Sequence, residues 1–247
     1  MFPIICQIGP LTVYSYGLMF AIAVVVCTVL FQKDAQMAGI KKEMATDLVF
    51  WLVAGGILGA RLFYILLNLP FFVSNPWEII MLYHGGLAWQ GGFIVGALSG
   101  VWFVKKHNLP VLKLLDLSAP YLALGQSIGR LGCFLNGCCY GKPAVWGIYF
   151  PVHHDHLQPT QLYDALGLFM TFLILKKLSR YAAYQGHIFV LYVILAAGLR
   201  FVVEFFRADH EIIFLGLSVY QWVCLVFLAT AFYVHTKIKS YGRISKP

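Results

Sequence analysis

The sequence predicts an all-α, polytopic membrane protein with about seven transmembrane helices, formed by a single domain over residues 1–247. Of these residues 60% are hydrophobic and only 11% are charged, whereas soluble domains carry about a quarter charged residues. Apolar runs of about 20 residues, the length that a helix needs to cross a bilayer, recur along the whole chain. Because no linker-like or low-complexity stretch separates these runs, we expect one transmembrane domain.

The long apolar runs lack the strict alternation of exposed strands. Only helices and closed barrels satisfy all backbone polar groups in lipid, so we expect these runs to be helices. The predicted spans cover residues 14–31, 46–68, 86–104, 114–135, 161–178, 186–206 and 216–236. Gly-rich stretches at 55–60 and 91–100 predict a close helix–helix contact, since small residues let two backbones approach.

The Lys and Arg residues between the spans predict the orientation. Thirteen lie in the first, third and fifth loops and the C-terminal tail, two lie in the other loops, and three lie within spans. The positive-inside rule therefore places the N-terminus outside and the C-terminus in the cytoplasm. Topology also explains the net charge of +8, so we expect no nucleic-acid partner.

Three arginines, Arg61, Arg130 and Arg200, fall within predicted spans, in the half towards the outer face. An arginine inside a span costs about 2.5–3.5 kcal/mol on insertion scales, and it marks a functional site by default. Arg207 follows at the outer mouth of the sixth span, with Glu204 between it and Arg200. The sequence therefore predicts a cationic site near the outer face.

Two explanations of these arginines stay open. In the first, acids of the chain pair with them: Glu204 reaches Arg200 at i, i+4 and Arg207 at i, i+3, and Asp164 is a possible second partner. In the second, an anionic lipid headgroup supplies the missing charge, because guanidinium groups match phosphate oxygens in a bidentate way. Neutral polar side chains at the same level are suited to line a headgroup pocket, although the tyrosines also suit interfacial anchoring. They are Tyr16, Gln90, Asn136, Gln161, Tyr163 and Gln221.

Five ordered stretches resemble motifs of the bacterial prolipoprotein diacylglyceryl transferases. They are VYSYGLMF (13–20), GGLAWQGG (85–92), GRLGCFLNGCCYG (129–141), QPTQLYD (158–164) and LRFVVEFFR (199–207). The resemblance covers most of the chain. It implies a seven-span fold with the N-terminus outside, which the count of basic residues predicts independently.

The resemblance also implies a transferase at the outer face of the bacterial cytoplasmic (inner) membrane. The family moves the diacylglyceryl group of phosphatidylglycerol to the lipobox cysteine thiol of a preprolipoprotein, which forms a thioether and releases glycerol 1-phosphate. No metal or organic cofactor is implied. By position, Arg130 and Arg200 correspond to essential arginines of the family. The supporting positions are Tyr16, Asn136, Gly141, Glu204 and Arg207.

In this chemistry a thiolate attacks a glycerol carbon and the phosphate leaves, so negative charge moves from sulfur to phosphate. We expect Arg130 and Arg200 to clamp the phosphate, since preorganised charges stabilise such a shift, and Glu204 to hold Arg200 or Arg207 in place. The expected catalytic residues are therefore Arg130, Arg200 and Glu204. The expected lipid-binding set contains Arg130, Arg200, Arg207, Tyr16, Gln90, Asn136, Gly141, Gln161, Tyr163 and Arg61.

Four positions depart from the family motifs. Gln90 and Gln158 replace histidines, Cys133 replaces an asparagine and Cys138 replaces a glutamate. Because glutamine cannot accept a proton at neutral pH, the source of the thiolate is open, with His84 as an alternative base. Two rival functions follow: a non-catalytic binder or transporter of anionic lipid, and a solute transporter, which predicts a polar path across both leaflets.

Cys133, Cys138 and Cys139 cluster on the side predicted to be oxidising. They are small unreactive residues, a disulfide, or a thiol on the reaction path. The spacing C-x₄-C-C is unusual for structural zinc. We expect no metal there, nor at the H-H-x-H run formed by His153, His154 and His156.

Overall fold

The computed structural model describes residues 1–8, 11–81, 85–208 and 212–242. Over these residues the chain is mostly helical. The helices are α1 (Ser15–Met37), α2 (Lys42–Leu67), α3 (Leu69–Ser74), α4 (Trp89–Lys106), α5 (Val111–Asn136), α6 (Thr160–Leu178), α7 (His187–Glu204) and α8 (Val219–Gly242). Short 3-10 turns cover Pro76–Ile79 and Ser179–Tyr181. Each of the seven predicted spans coincides with one long helix, and the six-residue helix α3 is an addition.

The described residues also form three antiparallel hairpins, which were not predicted from the sequence. They pair β1 (Ile4–Ile8) with β2 (Leu11–Tyr14), β3 (Pro143–Phe150) with β4 (Asp155–Leu157), and β5 (Ile212–Phe214) with β6 (Leu217–Ser218). These strands are short. They lie before α1 or in the connections between helices, where long apolar runs do not dominate the sequence. The hairpins precede α1, follow α5 and follow α7.

Four described helices are long and apolar enough to cross a membrane. They are α1, α2, α7 and the part of α8 from Val219 to Lys237. Large apolar side chains are exposed on these and on the other long helices, as at Leu58, Phe93 and Leu166. A surface of this kind suits contact with lipid, so the chain is a helical membrane protein.

The chain forms two compact units. Unit 1 combines the residues up to Leu30 with those from Leu112 onwards, and unit 2 is Phe31–Val111. In unit 2, α2 packs closely against α4, because a Cβ on Gly59 would overlap the carbonyl oxygen of Gly91. This confirms the close contact predicted from the two Gly-rich stretches.

In unit 1, helices α5, α6 and α7 surround an apolar core of Ala119, Ala123, Leu175, Ile188 and Tyr192. The Ser127 hydroxyl donates to the Ala165 carbonyl at 2.7 Å and ties α5 to α6. Asp116 of α5 accepts the backbone N–H groups of Gly186 (2.6 Å) and Phe189 (3.0 Å), which fixes the start of α7.

Backbone hydrogen bonds gather several helix ends of unit 1 at one place. The Phe2 N–H donates to the Leu135 carbonyl at 3.0 Å and joins the segment before α1 to the end of α5. The Lys142 N–H donates to the Phe206 carbonyl at 2.9 Å and joins the loop after α5 to the end of α7. The motif stretches carried by these helix ends are therefore brought close together.

Candidate active site

Asp164, in the first turns of α6, joins an arginine of α5 to an arginine of α7. Its Oδ2 atom lies 3.1 Å from Nε of Arg130 and 3.8 Å from Nη1 of Arg200. The Asp164 side chain is 4% exposed, whereas those of Arg130 and Arg200 are 25% and 21% exposed. The two guanidinium groups therefore converge on one carboxylate, and each keeps an accessible part.

Glu204, at the end of α7, is fully buried and forms the second anionic centre. Its Oε2 lies 2.7 Å from Nη2 of Arg200 and 3.9 Å from Nε of Arg207. The Ser218 hydroxyl donates to Oε1 at 2.9 Å. Because a buried carboxylate is tolerated only when it is paired and hydrogen-bonded, these contacts fix the end of α7 against the start of α8. Both i, i+3 and i, i+4 pairings predicted from the sequence are confirmed.

We call Arg130, Arg200, Arg207, Asp164 and Glu204 the arginine cluster. Three guanidinium groups share two carboxylates, so the explanation in which acids of the chain pair with arginines is correct for the contacts. The cluster still carries one more positive than negative charge. Nη1 of Arg200 is buried 3.8 Å from Oδ2 of Asp164 and has no hydrogen-bond acceptor within the described ranges, so the hydrogen-bonding capacity of Arg200 is not filled.

The Arg200 guanidinium also lies over the Tyr220 ring, with Cζ 5.2 Å from the ring centroid. A cation over an aromatic face is attracted by the ring quadrupole. Gln221 supports the same region: its Oε1 accepts the Ser218 N–H at 2.9 Å. The start of α8 therefore helps to hold Arg200 and Glu204.

Gly141 joins three segments behind the arginine cluster. Its N–H donates to the Gln158 carbonyl at 2.8 Å, and it pairs with Arg207 in an isolated antiparallel bridge. A Cβ at this position would lie 2.7 Å from both the Phe206 carbonyl oxygen and the Thr160 methyl group. Only glycine fits here without movement of the backbone. The close packing therefore explains why the motif has a glycine at this position.

Three thiols lie next to the cluster. The Sγ atoms of Cys133, Cys138 and Cys139 are all within 4.8 Å of one another, and the three cysteines are free. The pKa of the Cys139 thiol is lowered, because the Cys133 and Cys138 thiols donate hydrogen bonds to its thiolate and Arg207 is nearby. These thiols are the only set of three or more potential metal ligands of this type found in the described part of the chain.

Four other predicted site residues lie in unit 1 close to these groups. Gln161 is buried, and its amide donates to the Cys138 carbonyl at 2.7 Å. Tyr16 of α1 is near enough to Arg130 and the three thiols for electrostatic interaction, and Asn136 is near enough to the Cys138 thiol to influence it. The Tyr163 hydroxyl is buried without a hydrogen-bond partner among the described residues.

Arg61, on α2 in unit 2, has different surroundings. Its guanidinium donates to the carbonyl groups of Gly85 (2.6 Å), Gly86 (3.1 Å) and Ile79 (3.2 Å), and also to those of Glu78 and Met81. Gly85 and Gly86 have φ values of 85° and 78°, a backbone conformation that favours glycine. The side chain is thereby engaged by the loop that precedes α4.

The family comparison agrees with the motif pattern. The model of the prolipoprotein diacylglyceryl transferase family matches residues 3–236. This chain belongs to the prolipoprotein diacylglyceryl transferase family. The match covers both units, and it confirms the resemblance drawn from the five motif stretches.

Curated relatives cover the chain almost from end to end. A phosphatidylglycerol–prolipoprotein diacylglyceryl transferase of Clostridium tetani is 35% identical over 241 residues, 95% of this chain and 96% of the relative. One of Staphylococcus carnosus is 30% identical over 251 residues, 96% and 91%. One of Bacillus velezensis is 30% identical over 254 residues, 97% and 94%.

Two residues of the prolipoprotein diacylglyceryl transferase motifs make contacts at the site that were not predicted from the sequence. Asp164 was predicted only as a possible partner, yet it is the carboxylate shared by Arg130 and Arg200. Thr160 donates its hydroxyl to the Cys139 carbonyl at 2.8 Å. Both lie in QPTQLYD, so the motif itself was the signal that could have identified them. Ser218 lies outside the five motif stretches, and its hydrogen bond to Glu204 was not predictable from them.

Gln90, in the place of a family histidine, is exposed in the first turn of α4 in unit 2. The alternative base, His84, lies outside the described residues. The roles of Gln90 and His84 therefore stay predictions. Of the expected site residues, those in unit 1 are near the arginine cluster, and Arg61 and Gln90 belong to unit 2.

Proposed function

We propose that this prolipoprotein diacylglyceryl transferase moves the diacylglyceryl group of phosphatidylglycerol to the lipobox cysteine thiol of preprolipoproteins. The reaction forms a thioether and releases glycerol 1-phosphate. Family membership supports the reaction class, and the names of the relatives give the lipid and the protein substrate. The observation that carries the proposal is the convergence of Arg130 and Arg200 on Asp164, with part of each guanidinium accessible.

Arg130 and Arg200 act on the lipid phosphate. Their accessible N–H groups bind the phosphate oxygens of phosphatidylglycerol, and the excess positive charge of the arginine cluster stabilises the phosphate as it leaves. Such fixed charges act most where charge develops in the transition state. Asp164 keeps the two guanidinium groups facing the same point, so that both reach one phosphate.

Glu204 and Arg207 act through these groups. Glu204 is held by Ser218 and pairs with Arg200, so it orients the guanidinium that binds phosphate. Arg207 lies on the other side of Glu204 and adds positive charge to the cluster. Gly141 allows the loop that carries the three cysteines to pack against the end of α7.

The neutral residues shape the place where headgroup and thiol meet. Gln161 and Tyr163 each present a buried polar atom without a hydrogen-bond partner among the described residues, which suits contact with the glycerol hydroxyl groups of the lipid. Tyr16 and Asn136 lie beside the thiols. The five carbonyl contacts of Arg61 favour a positioning role for this residue over the direct lipid contact expected from the sequence, and Gln90 is proposed to bind lipid.

The topology belongs to the same proposal. The seven long helices span the bacterial cytoplasmic membrane as one domain, with the N-terminus outside and the C-terminus in the cytoplasm. The bias of thirteen basic residues against two supports this orientation. It places the ends of α5 and α7, and with them the arginine cluster, towards the outer face, where preprolipoproteins arrive.

A reconstituted assay tests the reaction. Purified protein in vesicles of phosphatidylglycerol is given a lipobox peptide, and mass spectrometry detects the diacylglyceryl adduct and glycerol 1-phosphate. Vesicles of phosphatidylcholine and a peptide with Cys→Ala at the lipobox are the controls. We expect an adduct only when phosphatidylglycerol and the cysteine peptide are both present.

The rival function, a non-catalytic binder of anionic lipid, is supported by the glutamine at position 90. It predicts a different outcome from the same vesicles. Folded protein that retains phosphatidylglycerol but gives no adduct would replace the transferase with the binder.

A further inference from the structure

The three thiols beside the arginine cluster have the geometry of a metal site. Their Sγ atoms lie within 4.8 Å of one another. In a tetrahedral zinc–thiolate site the Zn–S distance is about 2.3 Å, so neighbouring sulfurs are about 3.8 Å apart. Each sulfur pair is therefore at most about 1 Å wider than in that arrangement. Side-chain rotation alone covers a change of this size.

Buried hydrogen bonds hold the loop that carries two of these thiols. The Gln161 amide donates to the Cys138 carbonyl at 2.7 Å, and the Thr160 hydroxyl donates to the Cys139 carbonyl at 2.8 Å. Gln161 and Thr160 are each 1% exposed. Cys139 itself adopts a left-handed backbone conformation with φ 63°, which persists only when the surroundings enforce it. The thiols are thus positioned before any ligand binds.

We propose that Cys133, Cys138 and Cys139 bind one Zn²⁺ through three thiolates and leave the fourth coordination position open to the thiol substrate. The role of the open position rests on the proposed function, in which that thiol is the lipobox cysteine. Three protein ligands with an open fourth position are the arrangement of catalytic zinc, whereas structural zinc has four protein ligands. Within the described ranges no further Cys, His, Asp or Glu joins the three thiols.

The charges nearby favour a zinc ion bound by three thiolates. Three thiolates and Zn²⁺ together carry one negative charge, and Arg207 is a cation close to them. The guanidinium of Arg207 is near enough to the Cys139 thiol to act on it electrostatically. A zinc–thiolate centre therefore forms next to a cation that stabilises its net charge.

The metal provides a source of the nucleophile that does not depend on the family histidine, whose place in the sequence is taken by Gln90. A thiol that coordinates zinc is deprotonated outright, and its proton passes to solvent. The sulfur then attacks the glycerol carbon that bears the phosphate. A C–S bond forms and the C–O bond breaks, and the phosphate ester leaves with the bonding electron pair. Nothing is oxidised or reduced in this step.

A disulfide is the competing state of the same thiols. It would join two of the three sulfurs and leave the third unused, and Cys138 and Cys139 are adjacent in sequence, which strains a bridge between them. The convergence of all three sulfurs on one point favours metal over a disulfide. The disulfide becomes an outcome of the test.

The test compares two variants that each lose three cysteines. One is Cys133→Ala/Cys138→Ala/Cys139→Ala, and the matched control removes the cysteines elsewhere in the chain, Cys6→Ala/Cys27→Ala/Cys224→Ala. Metal analysis of purified full-length protein incubated with Zn²⁺ is expected to give one ion per chain in wild type and control, and none in the first variant. Folded wild type without zinc, equal zinc loss in both variants, or a wild-type mass lower by two hydrogens that dithiothreitol restores would overturn the site.

Cobalt substitution tests the open position. Co²⁺ in place of zinc gives a thiolate-to-metal charge-transfer band, and addition of the lipobox peptide is expected to change the band, whereas a peptide with Cys→Ser is not. Where the triple variant does not fold, Cys138→Ser is used, and a weaker band is expected. An unchanged spectrum on addition of the cysteine peptide would overturn the open position.

Activity separates this inference from the proposed function. Removal of zinc with a chelator is expected to lower transfer about 100-fold, the size of a general-base contribution, and added Zn²⁺ to restore it. Full transfer by zinc-free protein would overturn the thiol-activating metal while the transferase stands. Zinc binding with a peptide-sensitive cobalt band, but no transfer under any condition, would instead contradict the transferase.

Discussion

The arginines within the predicted spans find partners for their guanidinium groups in two different ways. Arg61 in unit 2 is 7% exposed and donates to five carbonyl groups. Arg130 and Arg200 in unit 1 share the carboxylate of Asp164 and keep 25% and 21% of their side chains exposed. Neutral carbonyl groups satisfy the donors of Arg61 and complete its shell. In unit 1 one donor has no hydrogen-bond acceptor among the described residues, and part of each guanidinium-bearing side chain is exposed, which suits the binding of an anion.

An arginine within an apolar helix does not by itself mark a ligand site. The cost of placing a guanidinium in lipid is offset by any dense set of acceptors, and carbonyl groups of a folded loop provide them as well as a phosphate does. What distinguishes the two environments is the unfilled hydrogen-bonding capacity, seen at Nη1 of Arg200. We therefore expect substitution of Arg130 or Arg200 to lower catalysis, and substitution of Arg61 to lower stability with little loss of transfer.

The largest effect is expected for Arg130→Ala and Arg200→Ala. Each removes a fixed positive charge at the phosphate, and we expect the initial rate of transfer in phosphatidylglycerol vesicles to fall by at least about 100-fold. The melting temperature in detergent is measured alongside and is expected to fall, because each substitution takes a partner from a buried carboxylate; the transfer rate is therefore compared per folded molecule. Near-normal transfer by either folded variant would contradict the assignment of the arginine cluster as the catalytic site.

Arg61→Ala is expected to affect stability more than transfer. It leaves the carbonyl groups of the loop before α4 without their charged donor, so we expect a loss of about 2–3 kcal/mol in unfolding free energy. Thermal unfolding in detergent measures this, and the transfer rate per folded molecule is expected to stay within a few-fold of wild type. Lost transfer with an unchanged melting temperature would place Arg61 in the same class as Arg130.

Glu204→Gln tests how Arg200 is positioned. Glutamine can still accept the Ser218 hydrogen bond, but it lacks the charge that holds the guanidinium 2.7 Å away. Because the substitution removes one charge of a buried ion pair, we expect transfer to fall by about tenfold. Ser218→Ala, which keeps the ion pair, is the matched variant and is expected to lose less; an equal loss would show that the hydroxyl contact, rather than the charge, holds the site.

The smallest effect is expected for Gln90→Ala. An amide cannot act as a base at neutral pH, so its loss is expected to lower transfer by no more than about threefold, the effect of one neutral hydrogen bond. The same peptide assay measures it, with Gln90→His as a companion that restores the histidine of the family. A loss as large as that of Arg130→Ala would mean that Gln90 takes part in the chemistry.

Much of the fold was predictable because lipid imposes a simple pattern. Each predicted span coincides with a helix, and the contact of the two Gly-rich stretches was confirmed at Gly59 and Gly91. The hairpins were missed, because β3 and its neighbours lie in connections where no bilayer enforces a regular pattern. The orientation of the helices and their organisation as one domain stay predictions.

The candidate site was predictable where local spacing decides contacts. Glu204 reaches Arg200 and Arg207 through helical spacing alone. Asp164 joins α5 to α7 across a long separation in sequence, and Ser218 reaches Glu204 from the following connection. No periodicity in the sequence predicts such contacts, so only the arrangement of the helices in the structure shows them.

Hydropathy and motif order are properties of the linear chain, and they were enough to assign it to the helical membrane proteins and to the prolipoprotein diacylglyceryl transferase family. Which arginine keeps unfilled hydrogen-bonding capacity, and which cysteines converge, depended on the three-dimensional arrangement of helices and loops. The reason is that a guanidinium or a thiol has no fixed partner of its own: carbonyls gather around Arg61, a carboxylate joins Arg130 to Arg200, and a turn brings Cys138 and Cys139 back to Cys133. Packing alone sets each of these neighbours.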